Sequence, residues 1–206
     1  MENDGFRTWG FVLYRCTYKS DSDWEKFMQR YLEPITRVLT DGNGADILAR
    51  FAPTVFEDPS FEGASSFTIR DHFNKWATTA PQEEQGVSAE EAQQKLSGRY
   101  KFCIMADEEC VQSVLNAPAS DSSDASAFVR LVYGGWKPLE LSDEEIAGYD
   151  HYEPEVLDPI EGCTERDVGA MRVRYQVAQH HGYAVLHDNL DWELKYVRAP
   201  KVGLCI

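Results

Sequence analysis

Three arginines lie inside apolar segments that are predicted to be strands, namely Arg15, Arg50 and Arg130. A guanidinium group is costly to bury unless it is paired. Each arginine therefore either reaches water from a strand end or edge, or uses its planar donor fork as a clamp for an anion or carboxylate. The segment around Arg15 has the apolar pattern of a central strand. We hypothesise that Arg15 and Arg130 hold an anionic or carbonyl group of a ligand, with Tyr18 in contact with it.

A carboxylate–histidine neighbourhood follows the second predicted strand. Glu57 and Asp58 come directly after this strand, and His72 lies on the next predicted helix. One acid can hold the imidazole tautomer while another group takes a proton, so Glu57, Asp58 and His72 are candidates for acid–base catalysis. The alternative is that the two acids only form a turn and that His72 faces solvent.

A histidine cluster near the C-terminus lacks the spacing of a metal site. His180 and His187 would share one helix face, but helical metal-binding pairs are three or four residues apart. The five cysteines are scattered and contain no C-x-x-C pair, which disfavours a zinc site and a disulfide framework. We therefore predict no metal and no cofactor, and we keep His180 as a ligand contact.

Familiar nucleotide-binding and hydrolase motifs are missing from the sequence. It contains no Walker A loop, no G-x-G-x-x-G after a strand and no G-x-S-x-G. Aromatic residues make up 12% of the chain, and they either fill the core or line an apolar pocket. In the second case Trp136, which follows a predicted strand and two glycines, contacts the ligand.

Acidic residues dominate one part of the 206-residue chain, whose net charge is -15. Residues 140–167 hold 11 acids and one base, so this segment carries most of the net charge. It is either a solvated surface excursion or a docking strip for a basic partner. The overall charge disfavours a broad nucleic-acid-binding surface, which needs a local excess of lysine and arginine.

Hydrophobic periodicity predicts alternating strands and helices. A long helix over residues 22–39 should bury Trp24, Phe27, Tyr31 and Ile35, with a kink or stop near Pro34. Both a strand and a helix fit residues 168–186, and the persistence of the pattern favours the helix. Further strands are predicted at 9–18, 48–56, 100–105 and 128–133, and further helices at 65–77, 82–97 and 107–115.

This order predicts an α+β protein with a ferredoxin-like sandwich, in which a four-stranded, mainly antiparallel sheet carries helices packed mostly on one face. The length fits a single domain over residues 1–206. A mobile loop is expected at 116–127 and an acidic excursion at 137–167.

The N-terminal segment Trp9-Gly-Phe-Val-Leu-Tyr-Arg-Cys-Thr-Tyr18, followed by Ser-Asp-Trp24, resembles the start of a family of small filamentous-fungal proteins. Phe73-x-x-Trp76 and Tyr196-Val-Arg-Ala-Pro200 fit the same resemblance. It implies a fungal origin and carries no mechanism. A second family, the fungal arginine-containing cyclodipeptide synthases, is kept as an alternative, although none of its motifs maps onto these residues.

The sequence thus favours a cytosolic enzyme or ligand-binding protein for a small organic molecule, in fungal specialised metabolism. No secretory signal or membrane span is predicted, and the free cysteines favour a reducing compartment. The alternatives are a tRNA-dependent cyclodipeptide synthase, the one case with a nucleic-acid partner, and a non-catalytic module that docks through its acidic segment. A homodimer is compatible with each of these functions.

Overall fold

The computed structural model describes residues 5–118, 126–138 and 157–203. These residues form a six-stranded mixed sheet with helices packed against it. The strand order within these residues is β2-β1-β3-β4-β5-β6. The strands are β1 (Val12–Arg15), β2 (Val55–Phe56), β3 (Phe102–Ala106), β4 (Phe128–Tyr133), β5 (Ala170–Arg174) and β6 (Val202–Gly203).

One half of the sheet is parallel and the other is largely antiparallel. β1 pairs in parallel with both β2 and β3, whereas β4 runs antiparallel to β3 and β5, and β6 is parallel to β5. The protein is therefore a mixed α+β structure, as predicted. The four-stranded, mainly antiparallel ferredoxin-like arrangement is not confirmed, because parallel pairing of β1 and two additional strands change the sheet.

The two central strands, β1 and β3, are buried along their whole length because both of their faces are covered. Every residue of β1 and β3 is buried. Such continuous burial is typical of strands with helices on both sides. Helices lie on both faces of the sheet, although most of them pack on one.

The first face is covered mainly by α1 (Asp21–Asp41) and α6 (Glu108–Asn116). Ser20 caps α1 by accepting a hydrogen bond from the Asp23 amide. Trp24, Phe27, Tyr31 and Ile35 are buried, which confirms the predicted apolar stripe. The helix does not stop near Pro34 but continues to Asp41, so of the two predicted outcomes the early stop is excluded.

The opposite face is covered by α3 (Ser66–Trp76). Its Ile69 and Phe73 pack against Tyr14, Cys103 and Met105, whose side chains point to this side of the sheet. Three short helices complete the N-terminal half: α2 (Ala45–Ala49), α4 (Ala80–Gln85) and α5 (Ala89–Gln94). Two of the predicted elements are thereby corrected. The segment 48–56 contains the end of α2 and the short β2, and 82–97 is divided between α4 and α5.

The last apolar segment is a strand followed by a helix. β5 is followed by the helical segment α7, which comprises Tyr175–Val177, a π-helical turn at Ala178–Gly182, and Tyr183–Val185. The prediction of one helix over 168–186 was wrong for its first part, because pairing with β4 selects the strand alternative there. The final helix is α8 (Asn189–Lys195).

Two predicted surface segments fall largely outside the described residues. Positions 119–125 of the expected mobile loop and 139–156 of the expected acidic excursion are among them. Within the parts of the chain that are described, no helix is long and apolar enough to cross a membrane.

Candidate functional site

The carboxyl ends of β2, β1 and β3 meet at one edge of the sheet, here called the carboxyl edge. The chain leaves β1 over one face through α1 and leaves β2 over the other through α3. In open α/β sheets, ligands bind outside the strand ends at such a switch point. Four of the predicted site residues, Arg15, Tyr18, Glu57 and Asp58, follow or end these strands.

Arg15 has acidic partners at the carboxyl edge. Its side chain is 6% exposed, and its Nη2 lies 2.5 Å from Asp21 while its Nη1 lies 3.8 Å from Glu57. Its Nε donates to the Thr17 carbonyl at 2.9 Å, and the guanidinium carbon lies 4.3 Å from the centre of the Tyr18 ring. The arginine therefore has the carboxylate partner that its burial demands, and this geometry favours a structural pair over an open clamp.

Glu57, Asp58 and His72 do not form one hydrogen-bonded network. Glu57 accepts a hydrogen bond from the Trp24 indole at 2.7 Å, toward α1. His72 lies on the opposite face, where its Nδ1 is 2.9 Å from the Tyr14 hydroxyl. Asp58 accepts a hydrogen bond from the Ser60 amide, which lowers the pKa of this carboxyl, with a smaller effect from His72.

Arg130 is also paired. Its Nε lies 2.7 Å from Asp107 and its Nη2 lies 2.8 Å from Glu109, which in turn pairs with Arg172 at 2.7 Å. A crevice lined by Arg130 and Arg172 has a volume of about 10 Å³, which is room for about one water molecule. The predicted anion clamp at Arg130 would first have to displace these carboxylates.

The remaining two candidates take part in other contacts. Trp136 packs against Arg70, whose guanidinium carbon lies 4.6 Å from the centre of the Trp136 ring. The Trp136 indole N–H donates to the Asp167 carbonyl at 3.2 Å. His180 lies in the π-helical turn of α7, where burial, and then the charge of His181, lower its pKa. No described contact joins either residue to the carboxyl edge.

A pocket of about 370 Å³ lies at the other end of β3, next to Lys101. Its volume is within the range of small-molecule sites, about 300–1,000 Å³. We call it the Lys101 pocket. Its other side chains are polar or aromatic: Asn74, Gln93, Tyr100, Tyr133, Asp188 and Asn189.

Lys101 is an unusual residue for such a buried position. Lysine is rarely buried without a partner, yet this one is only 8% exposed. Its Nζ donates to the carbonyl oxygens of Lys95 at 2.8 Å and His187 at 2.6 Å. Among the described residues, no carboxylate forms a salt bridge with it. Burial lowers the pKa of Lys101, and the charges of Asp188 and Asp191 only partly oppose this effect.

Local backbone contacts fix the position of Lys101. Its carbonyl accepts a hydrogen bond from Gly134 at 2.8 Å, and Asn74 donates to the Gly134 carbonyl at 2.9 Å. A Cβ atom on Gly134 would lie 2.9 Å from the Phe73 ring and 3.1 Å from the Lys101 carbonyl oxygen, so a larger residue here would force these groups apart. α3 and the end of β4 are thereby held against the start of β3.

Sequence reasoning missed Lys101 because it weighed arginines inside strands. The signal that was available is a single lysine between two aromatic residues, Tyr100 and Phe102, at the start of an apolar strand. Within the described residues, no group of three or more His, Cys, Asp or Glu side chains is placed to hold a metal ion.

Comparisons with known proteins give no further guide to this site. No protein-family model, curated protein or solved structure matches the chain.

Proposed function

We propose that the protein is an enzyme that binds a small carbonyl compound in the Lys101 pocket, with the Lys101 amine as the reacting group. One observation carries the proposal: a lysine that is 8% exposed, without a described carboxylate partner, lines a pocket of about 370 Å³. Desolvation in a pocket is one way in which proteins activate a lysine amine as a nucleophile. Perturbed groups in clefts are candidates for functional sites.

A neutral amine can make both hydrogen bonds of Lys101. The carbonyl oxygens of Lys95 and His187 accept two N–H groups, which a neutral amine still has. The third position on nitrogen is then a lone pair, which points away from both acceptors. Because neither acceptor carries a full negative charge, neither favours the ammonium form as strongly as a carboxylate would.

The reaction that such an amine supports is imine formation. The Nζ lone pair forms a C–N bond with the carbonyl carbon, and the electrons of the C=O π bond move to oxygen, which takes a proton. Loss of water from this carbinolamine gives an imine. The proton released from nitrogen passes to solvent or to the carboxylate of Asp188, which lines the same pocket.

Reductive trapping tests the proposal directly. The native protein is treated near neutral pH with propanal and cyanoborohydride, and the modified lysines are identified by peptide mass spectrometry. Lys19 and Lys75 are exposed and serve as internal references. We expect Lys101 to be labelled faster than either reference, because a lowered pKa gives a larger neutral fraction. The Lys101→Arg variant keeps the positive charge but forms no imine.

A structural role would give the opposite pattern. If Lys101 only joins α5 to the segment before α8, it should stay unlabelled in the native protein and react only after unfolding in urea. That result would overturn the proposal. Equal labelling of Lys101 and the two references would also contradict it, since it would show no activation.

The other functions predicted from the sequence gain no comparable support. The docking-module alternative depends on residues 140–167, of which the structure describes only 157–167. No described feature favours tRNA-dependent synthesis. The cytosolic location, the fungal origin and the role in specialised metabolism stay predictions.

A further inference from the structure

A second pocket, of about 510 Å³, lies beside the segment that leads into β6. We call it the C-terminal pocket. Leu157, Tyr196 and Val197 contribute apolar surface to its wall, and Arg166, Arg198 and Lys201 contribute positive charge. No carboxylate side chain is among its described lining residues. This composition contrasts with a chain whose net charge is -15.

Among the described residues, Arg166, Arg198 and Lys201 form no salt bridge. Arg198 donates instead to the backbone carbonyls of Asp158 and Cys163, and to that of Glu165. Carbonyl oxygens satisfy the guanidinium donors without cancelling its charge.

One of the two carboxylates that flank Arg166 in the chain, that of Asp167, is directed elsewhere. One oxygen of Asp167 accepts the Gly169 amide at 2.7 Å, and the other accepts the Trp192 indole at 2.7 Å. Burial raises the pKa of Asp167, and these two hydrogen bonds oppose the rise. The acid is therefore occupied by neutral donors rather than by the cations of the pocket.

We propose that the C-terminal pocket binds a small organic anion with an apolar body, such as an aromatic carboxylate. The cations would pair with the carboxylate, and the Tyr196 ring and neighbouring apolar side chains would contact the body. Sites of this size are typically apolar with a few placed polar groups. The C-terminal pocket shares no lining residue with the Lys101 pocket, so this proposal does not depend on the proposed function.

The test compares benzoate with benzamide, which has the same shape without the charge. Binding to the full chain is measured by calorimetry and by ligand-observed NMR. We expect benzoate to bind more tightly than benzamide, and to bind less tightly as salt rises, because exposed charges are screened over about 10 Å at 0.1 M. The Arg166→Gln/Lys201→Gln variant should bind benzoate about tenfold less tightly.

A matched control separates the pocket from general charge effects. Lys19→Gln/Lys75→Gln removes the same number of charges from exposed positions elsewhere and should leave benzoate binding unchanged. Lys101→Arg should also bind benzoate like the parent. Equal binding of benzoate and benzamide, no binding of benzoate, or an equal loss in the control variant would each overturn the proposal.

Discussion

Replacing Arg99 with methionine should destabilise the fold by about 3–5 kcal/mol, because it breaks a buried ion pair. The Arg99 side chain is 1% exposed, and its Nε and Nη2 each lie 2.7 Å from an oxygen of Glu84. Its Nη1 donates to the carbonyls of Gly10 at 2.8 Å and Ala52 at 2.9 Å. The substitution leaves the carboxylate and both carbonyls without these donors.

The size of the loss depends on which charge is left behind. The Glu84 side chain is 23% exposed, so the carboxylate that remains in Arg99→Met keeps some contact with water. In Glu84→Gln the guanidinium, which has almost no such contact, loses its counter-charge. We therefore expect Glu84→Gln to cost at least as much as Arg99→Met. The double variant Arg99→Met/Glu84→Leu should cost less than the sum of its single changes, by about 1–3 kcal/mol.

Urea denaturation followed by tryptophan fluorescence measures these differences. Arg37→Met is the control, since Arg37 is 56% exposed and its partner Glu33 is 64% exposed at 3.8 Å. Such surface pairs contribute about 0–1 kcal/mol. The reasoning would be refuted if Arg99→Met cost no more than Arg37→Met, or if the effects at Arg99 and Glu84 were additive.

The same pair predicts a dependence on pH. Burial alone would raise the pKa of Glu84, but the hydrogen bonds and charge of Arg99 outweigh it, so the net pKa is lowered. A carboxyl with a lowered pKa in the folded state contributes stability at neutral pH that is lost as pH falls below its ordinary value, about 4.3. The difference in unfolding free energy between parent and Arg99→Met should therefore shrink on acidification.

Three further predictions concern the core, the carboxyl edge and the thiols. Phe27→Ala should cost about 3–5 kcal/mol in urea denaturation, and a loss below about 1 kcal/mol would show that α1 does not pack as described. Arg15→Met should cost about 1–3 kcal/mol, and Arg15→Lys less, because the carboxylate partners of Arg15 are 85% and 46% exposed and stay hydrated; equal losses would contradict this. Burial raises the pKa of the Cys16 thiol to about 12, and those of Cys103 and Cys110 rise for the same reason. Iodoacetamide should label these three only after unfolding, as read by peptide mass spectrometry; labelling in the native state would show that the thiols are accessible.

Elements that depend on local patterns could be predicted from the sequence. The apolar stripe of α1 is set by residues three and four positions apart, and it is present in the structure. The start of the helix was less well predicted, because the N-cap is Ser20 and the helix begins at Asp21 rather than at residue 22. β1 and β3 were found because their continuous apolar runs have few alternatives. These local patterns do not determine which strands are neighbours in the sheet, because strand pairing joins residues that are far apart in the chain.

The sheet order shows where such reasoning stops. β2 and β6 contain two residues each, too few for periodicity to distinguish a strand from a loop. β5 fits both periodicities, and only its pairing with β4 selects the strand. A four-stranded antiparallel sheet was therefore the simplest arrangement of the strong signals, and it lacked the tertiary contacts that made the sheet mixed.

Arg99 and Lys101 are buried cations that the sequence analysis did not identify. They stand on either side of Tyr100 in a turn just before β3, although the strand predicted at 100–105 included Lys101. Arg15 and Arg130 drew attention because they interrupt apolar strands, and the structure gives both of them acidic partners at the exposed edge of the sheet. Lys101 donates to the backbone carbonyls of Lys95 and His187. Because every residue has a backbone carbonyl, these partners cannot be recognised from residue types in the sequence. Within the described residues Lys101 has no carboxylate at salt-bridge distance, and this property makes the Lys101 pocket the place to test for chemistry.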